Sequence, residues 1–241
     1  MSGKTKRNVI VAVAAALVLI VAAVLVHSLK TPTMDTFLTR AGRAAEEGKY
    51  DQAVENYRQA AALGSTRAKF ELGVIYYAGP GEIADAGQAF GLFNDVAEQG
   101  FPAAQINLGT MYASGRGVEQ DLEKAHALFQ QAADQKMTLA DYYLALDYLS
   151  GWGTTQRTDR AFELAKSASD AGLGQGQYLL GLLYTNGLGT AEDDLAAGEM
   201  YALAAANDVK KLDVTLYIVD WDGRTIAPKK QPDDRTDAKK S

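Results

Sequence analysis

The 241-residue chain holds no cysteine and only two histidines, with 47% hydrophobic and 22% charged residues. The lack of cysteine excludes disulfides, thiolate metal sites and cysteine nucleophiles. Its net charge of −6 hides an asymmetry. Residues 1–30 carry Lys4, Lys6, Arg7 and Lys30 with no acid, residues 224–241 carry six basic and three acidic side chains, and 14 basic against 27 acidic residues lie between. A body of such strongly negative charge repels phosphate backbones, so nucleic acid is not an expected partner.

The first element is the run Val9–Val26, 18 apolar residues without charge, glycine or proline. As a helix it would span roughly 27 Å, close to the hydrocarbon thickness of a bilayer. Lys4, Lys6 and Arg7 precede it, which predicts a cytoplasmic amino terminus (residues 1–8) and export of everything beyond. The run is longer than the core of a cleaved signal peptide, and the best cleavage candidate around Val26-His27-Ser28 is poor. An uncleaved anchor is therefore favoured over a cleaved signal. Residues 27–33 then form a linker.

The middle of the chain repeats every 36 residues. Leu72, Leu108, Leu144 and Leu180 keep that step, as do Tyr76, Tyr112, Tyr148 and Tyr184. So do Gly79, Gly115, Gly151 and Gly187, then Gly81, Gly117, Gly153 and Gly189. Ala89, Ala125, Ala161 and Ala197 follow, with Phe93, Phe129, Ala165 and Tyr201 after them. Each unit reads as two helices, A and B. In the second unit, Leu108 and Tyr112 share one face of helix A, and Ser114-Gly115-Arg116-Gly117 ends it. Asp121 suits the start of helix B, whose buried face is Ala125, Phe129 and Ala133. A lone pair cannot bury its apolar stripe, so neighbours must stack as a solenoid. The units run 67–102, 103–138, 139–174 and 175–210. A first helix pair at 34–66 precedes them, with Ala53, Tyr57 and Ala61 in register 36 residues before Ala89, Phe93 and Ala97.

Residues 211–223 form a carboxy-terminal cap. Val214 to Trp221 is rich in β-formers, but terminal repeats need an atypical cap, which favours a half-repeat helix over a strand. Residues 224–241 are charged and without apolar period, and are expected to be disordered.

The pattern from Ala104-Gln105 through Leu108-Gly109, Met111-Tyr112, Gly115, Gly117-Val118, Asp121, Lys124-Ala125 and Ala132-Ala133 resembles the Sel-one-like repeat (SLR) family, a variant of the tetratricopeptide repeat. Residues 48–57 with Ala60-Ala61 resemble a plain tetratricopeptide-like unit. The third unit departs from the pattern at Ala145, where glycine is expected, and at Ala165, where an aromatic is usual. The resemblance implies an all-α, right-handed α-solenoid of antiparallel helix pairs, here following one amino-terminal transmembrane helix. It also implies partners held along the concave helix A face. Carried over position by position, the partner-binding candidates are Phe70, Tyr77, Ile106, Tyr142, Tyr143, Leu146, Tyr178 and Leu182; the alternative, favoured for aromatics at helical spacing, is that they pack neighbouring repeats together.

Chemistry is sparse. His126 faces away from the Ala125/Phe129 stripe and reads as a solvated surface residue. No histidine pair with metal spacing occurs, and the Gly-x-Gly loops recur in every unit as turns and lack the lysine of a phosphate loop. No catalytic residue, metal site or cofactor is expected. The expected protein is a non-enzymatic scaffold or adaptor in a bacterial inner membrane, single-pass, with its repeats in the periplasm. Its partners would be envelope or membrane proteins, with the lipid bilayer contacted through residues 9–26. The alternatives are a β-lactam or peptidoglycan-related hydrolase or binding protein, since cysteine-rich SLR relatives have that association, and a structural stalk.

Overall fold

The computed structural model describes residues 32–211 together with residues 17, 18, 21, 218, 219, 225 and 226. The apolar run at 9–26 therefore lies almost wholly outside the described residues. Among the described residues no helix is long and apolar enough to cross a membrane.

The chain divides into two compact units, residues 1–64 and 65–241. In the first, α1 (Met34–Glu46) and α2 (Tyr50–Ala62) pack on each other. Thr33 starts α1 by accepting a hydrogen bond from the Thr36 N–H at 3.3 Å. Ala41, Ala44, Ala53, Val54, Tyr57 and Ala60 form the buried seam between the two helices.

In the second unit, α3 (Thr66–Ala78) and α4 (Ala86–Ala97) form the first repeat, and α5 (Pro102–Ser114) and α6 (Leu122–Asp134) the second. The third is α7 (Thr138–Ser150) with α8 (Thr158–Asp170), and the fourth α9 (Gly174–Thr185) with α10 (Asp194–Ala206). Within this unit each helix from α3 to α9 packs on the next one in sequence, giving the expected all-α repeat fold.

Local chemistry sets the boundaries. Asp85, Asp121 and Asp193 each accept from the backbone N–H three residues on, at 3.0, 2.9 and 2.9 Å, capping helix B of units one, two and four. Those donors hold the Asp85 and Asp121 carboxyls below the usual carboxylate range. Helix B of unit three begins at Arg157, which makes no such bond. Gly115 and Gly151 end helix A in the left-handed conformation.

Within a unit, helix B lays an aromatic ring on a glycine of helix A. A Cβ on Gly73 would stand 2.8 Å from the Phe93 ring, and one on Gly109 2.6 Å from Phe129. Gly181 faces Tyr201 in the same way. Unit three makes the complementary choice: both Ala145 and Ala165 are fully buried, so the methyl added to helix A is matched by the ring missing from helix B. The two departures from the repeat are thus one size exchange.

A polar tie from one fixed position of helix A also joins the two halves of each unit, reaching helix B in the first three and the residue that ends it in the fourth. Lys69 Nζ meets Asp95 at 3.0 Å, and Gln105 donates to Gln131 at 3.1 Å. Ser167 donates to Asp141 at 2.7 Å, and Asn207 donates to Gln177 at 2.9 Å. The helix A partners of these pairs are 36 residues apart, although their chemistry changes from ionic to neutral.

The carboxy-terminal expectation is corrected. Residues 218–219 form a strand, β1 (Ile218–Val219), paired antiparallel with β2 (Thr225–Ile226) in the register Ile218↔Ile226 and Val219↔Thr225. A cap helix loses here because β-branched residues favour the pleated backbone and a pairing strand follows shortly. The tail expected to be disordered from residue 224 therefore contributes residues 225 and 226 to this pair. Residues 227–241 lie outside the described residues.

Candidate functional site

The eight residues expected along helix A separate into two groups. Phe70, Tyr77, Ile106, Tyr142, Tyr143 and Leu146 are buried, none more than 4% exposed. Phe70 packs against Phe93 with ring centroids 5.6 Å apart, and Tyr143 lies 4.8 Å from Phe129 and 5.6 Å from Tyr142. Tyr77 is covered by the loop of the next unit: the Arg116 guanidinium lies 4.1 Å above its ring and donates to its carbonyl at 2.7 Å. These six side chains pack repeats together and do not line an open groove. The helix A positions the resemblance selects are enclosed because each middle helix A is flanked by its own helix B and by that of the preceding unit.

Tyr178 and Leu182 are the two that remain partly exposed. The Tyr178 ring lies 5.1 Å from that of Tyr201, and both line a cavity of about 360 Å³ with Ala205, Val209 and Lys210. Tyr178 is thus the expected residue that borders this cavity.

A different residue organises the middle of the row. Asn107, on α5, is completely buried, and its carboxamide meets both backbone groups of Val219. The Val219 N–H donates to Asn107 Oδ1 at 2.7 Å, and Asn107 Nδ2 donates to the Val219 carbonyl at 2.9 Å. One residue turns its N–H and C=O to the same side only in extended backbone, as in a hydrogen-bonded antiparallel pair. The asparagine side chain therefore imitates the edge of a β-ladder. Val219 is itself fully buried, and β1 packs on α5.

Exposure along one helix A row agrees with this cover. Val74 and Leu182 are partly open at its two ends, whereas Thr110 and Leu146 between them are buried. Thr110 Oγ1 donates to the Asn107 carbonyl at 2.8 Å, which occupies its hydrogen. Sequence periodicity missed Asn107. The available signal was its type, since asparagine is a poor helix former to place in the middle of helix A. Its positional equivalents are Glu71, Tyr143 and Leu179.

His126 also differs from its sequence reading. Its side chain is 16% exposed, and Nδ1 lies 3.0 Å from Oδ2 of Asp147 on the next unit's helix A. The ring also stands edge-on to Tyr148 at 5.2 Å. Burial pushes the Asp147 carboxyl above its usual range, and the bond from His126 pulls it part of the way back. The face of helix B turned away from its own unit is the face that meets the next unit, so a residue there is packed and not solvated.

Among the described residues no cluster of three or more His, Asp or Glu could hold a metal ion, and no buried side-chain N or O lacks a hydrogen-bond partner.

Comparison with known proteins returned the Sel1 repeat, matching residues 42–65, 66–101, 102–137, 138–173 and 174–209. Among solved structures, a protective antigen present in uropathogenic Escherichia coli strains, displaying an SLR fold, is 26% identical with a TM-score of 0.66. The match covers 72% of this chain, which spans only 38% of that chain's length. A Sel1 repeat protein from Oxalobacter formigenes is 29% identical with a TM-score of 0.65, over 73% of this chain and 74% of that one. No curated protein matched in sequence. With five matched repeats along an all-α array of helix pairs, the chain belongs to the Sel1 repeat family.

Proposed function

We propose that this chain is a non-catalytic protein-interaction scaffold, tethered to a bacterial inner membrane by residues 9–26. Its repeats stand on the periplasmic side and assemble or regulate an envelope complex or a membrane signalling partner. The observation that carries the reading is the Asn107 carboxamide closed on both backbone groups of Val219: this helix A surface holds extended polypeptide. The charge-free run Val9–Val26 behind Lys4, Lys6 and Arg7 supports the tether, and the family supports a role in binding proteins. The acid–histidine pair of Asp147 with His126 sits where neighbouring repeats place apolar side chains, which favours a structural role for it.

A photo-crosslinking side chain at Leu182 or Val74, introduced in whole cells, should yield discrete adducts with envelope proteins. Absence of adducts at both positions sinks the scaffold reading. A periplasm-dependent reporter fused after residue 211 should be active, and activity of a cytoplasm-dependent reporter there counts against the topology. Turnover of a chromogenic β-lactam by the purified chain overturns the non-catalytic reading.

A further inference from the structure

We propose that the surface around Asn107 is an acceptor for an extended apolar strand of a protein partner, and that the chain's own residues 218–219 occupy it in cis, so that a partner enters only by strand exchange. The proposal rests on the scaffold reading for the identity of the competitor, but not for the occupancy itself.

Asn107 reads backbone, not side chains: it bonds the N–H and the C=O of one residue, and any extended segment presents that pair. The fully buried Val219 side chain adds a requirement for a β-branched or similar apolar residue at the same point. Thr110 cannot replace the lost Val219 N–H, because its hydroxyl hydrogen is already given to the Asn107 carbonyl. An emptied surface would thus leave one donor and one acceptor of a buried carboxamide to be satisfied anew, and an incoming strand restores both bonds.

The resident is built to be exchanged. It is held in a two-stranded pair of two residues each, which is marginal by itself. The eight steps from Lys211 to Val219 keep it tethered within at most about 28 Å of Lys211. Leu216-Tyr217-Ile218-Val219 is apolar, while the body is strongly acidic. The competitor that fits is therefore an apolar β-forming stretch flanked by lysine or arginine.

The test uses the full chain in detergent and a fluorescent peptide with the sequence of residues 212–226, read by anisotropy. Wild type should bind it weakly. Val219→Pro removes the donor to Asn107, and Ile226→Pro removes the N–H that pairs with Ile218 without touching Asn107. Both should bind at least about tenfold more tightly, because a tethered occupant competes at an effective concentration on the order of millimolar. Adding Asn107→Leu to either variant should abolish the gain. Equal affinity in wild type and both proline variants overturns the proposal, as does a gain that survives Asn107→Leu. Helical circular dichroism reports folding, and Ile226→Pro carries the test if Val219→Pro unfolds. Crosslinking in cells separates the two readings. Opened variants that bind peptide and gain partner adducts support both. Variants that bind peptide yet form no adducts at Val74 or Leu182 uphold the cis occupancy and sink the scaffold, whereas normal adducts without peptide binding sink the strand site alone.

Discussion

The junction between the second and third repeats is built unlike those on either side. At the first junction Phe90 of helix B stands edge-on to Tyr112 at 5.5 Å, beside the buried Met111. At the last, Phe162 meets Tyr184 at 5.3 Å beside the buried Leu183. The middle junction keeps the geometry, His126 on Tyr148 at 5.2 Å, but exchanges phenylalanine for histidine and the apolar neighbour for Asp147. The turn leading into it also differs. Gly100 and Gly172 adopt positive φ after helix B of units one and three, whereas Lys136 holds φ 67° in unit two. The shape of a junction is thus conserved along the array by ring geometry, while its chemistry is free to change if both partners change together.

Breaking one partner of the middle pair should have the largest effect. His126→Phe leaves the Asp147 carboxylate buried beside a ring, and should cost about 3 kcal/mol or more in urea unfolding. The double change His126→Phe with Asp147→Leu reproduces the last junction, and should return stability to wild type or raise it by about 1–4 kcal/mol. If the single change is harmless, the pair contributes nothing to the junction.

Next in size is the ring-on-glycine contact. Gly109→Ala drives a methyl to 2.6 Å from the Phe129 ring. It should destabilise by about 2 kcal/mol, the usual cost of overpacking. Combined with Phe129→Ala, which imitates unit three, the loss should fall short of the sum of the two single losses. Strict additivity in that double-mutant cycle would refute the size exchange between Ala145 and Ala165.

The third expectation concerns pH. Burial holds the Asp147 carboxyl above its ordinary range. The folded chain therefore takes up this proton more readily than the unfolded one. Stability from this group is complete below the ordinary carboxylate range and is lost as pH rises through the raised value. The penalty of His126→Phe should accordingly be largest at neutral pH and shrink on acidification. In His126→Phe/Asp147→Leu that pH dependence should vanish, as followed by melting temperature between about pH 4 and 7.

The smallest effect is expected at the turn. Lys136→Gly should stabilise by roughly 0.5–1 kcal/mol, because glycine takes positive φ without strain. No gain in the urea midpoint would mean that Lys136 offsets its strain through other contacts.

These contrasts also explain what could be read from the sequence. Helix pairs, the cap at Asp121 and the glycine turns are local, and a 36-residue step makes the pattern visible several times. What the period does not carry is which helix face is open. Periodicity finds a single buried stripe, whereas a helix inside a stack has a second packed face. His126 and the six buried candidates on helix A lie on such faces. Asn107 escaped because its partner, Val219, is 112 residues away, and nothing in the repeat register anticipates it.

That separation has a consequence for how the array comes apart. A stack in which every repeat touches only its neighbours can fray from either end, one unit at a time. Here the bond from Val219 to Asn107 encloses the third and fourth repeats in a loop of the chain. Loss of the last repeat then requires the clasp to open first, so the carboxy-terminal half should unfold as one block, and the amino-terminal end should be where unravelling begins. Hydrogen exchange along the chain would register this as matched protection across α7 to α10, collapsing to a gradient once the clasp is removed.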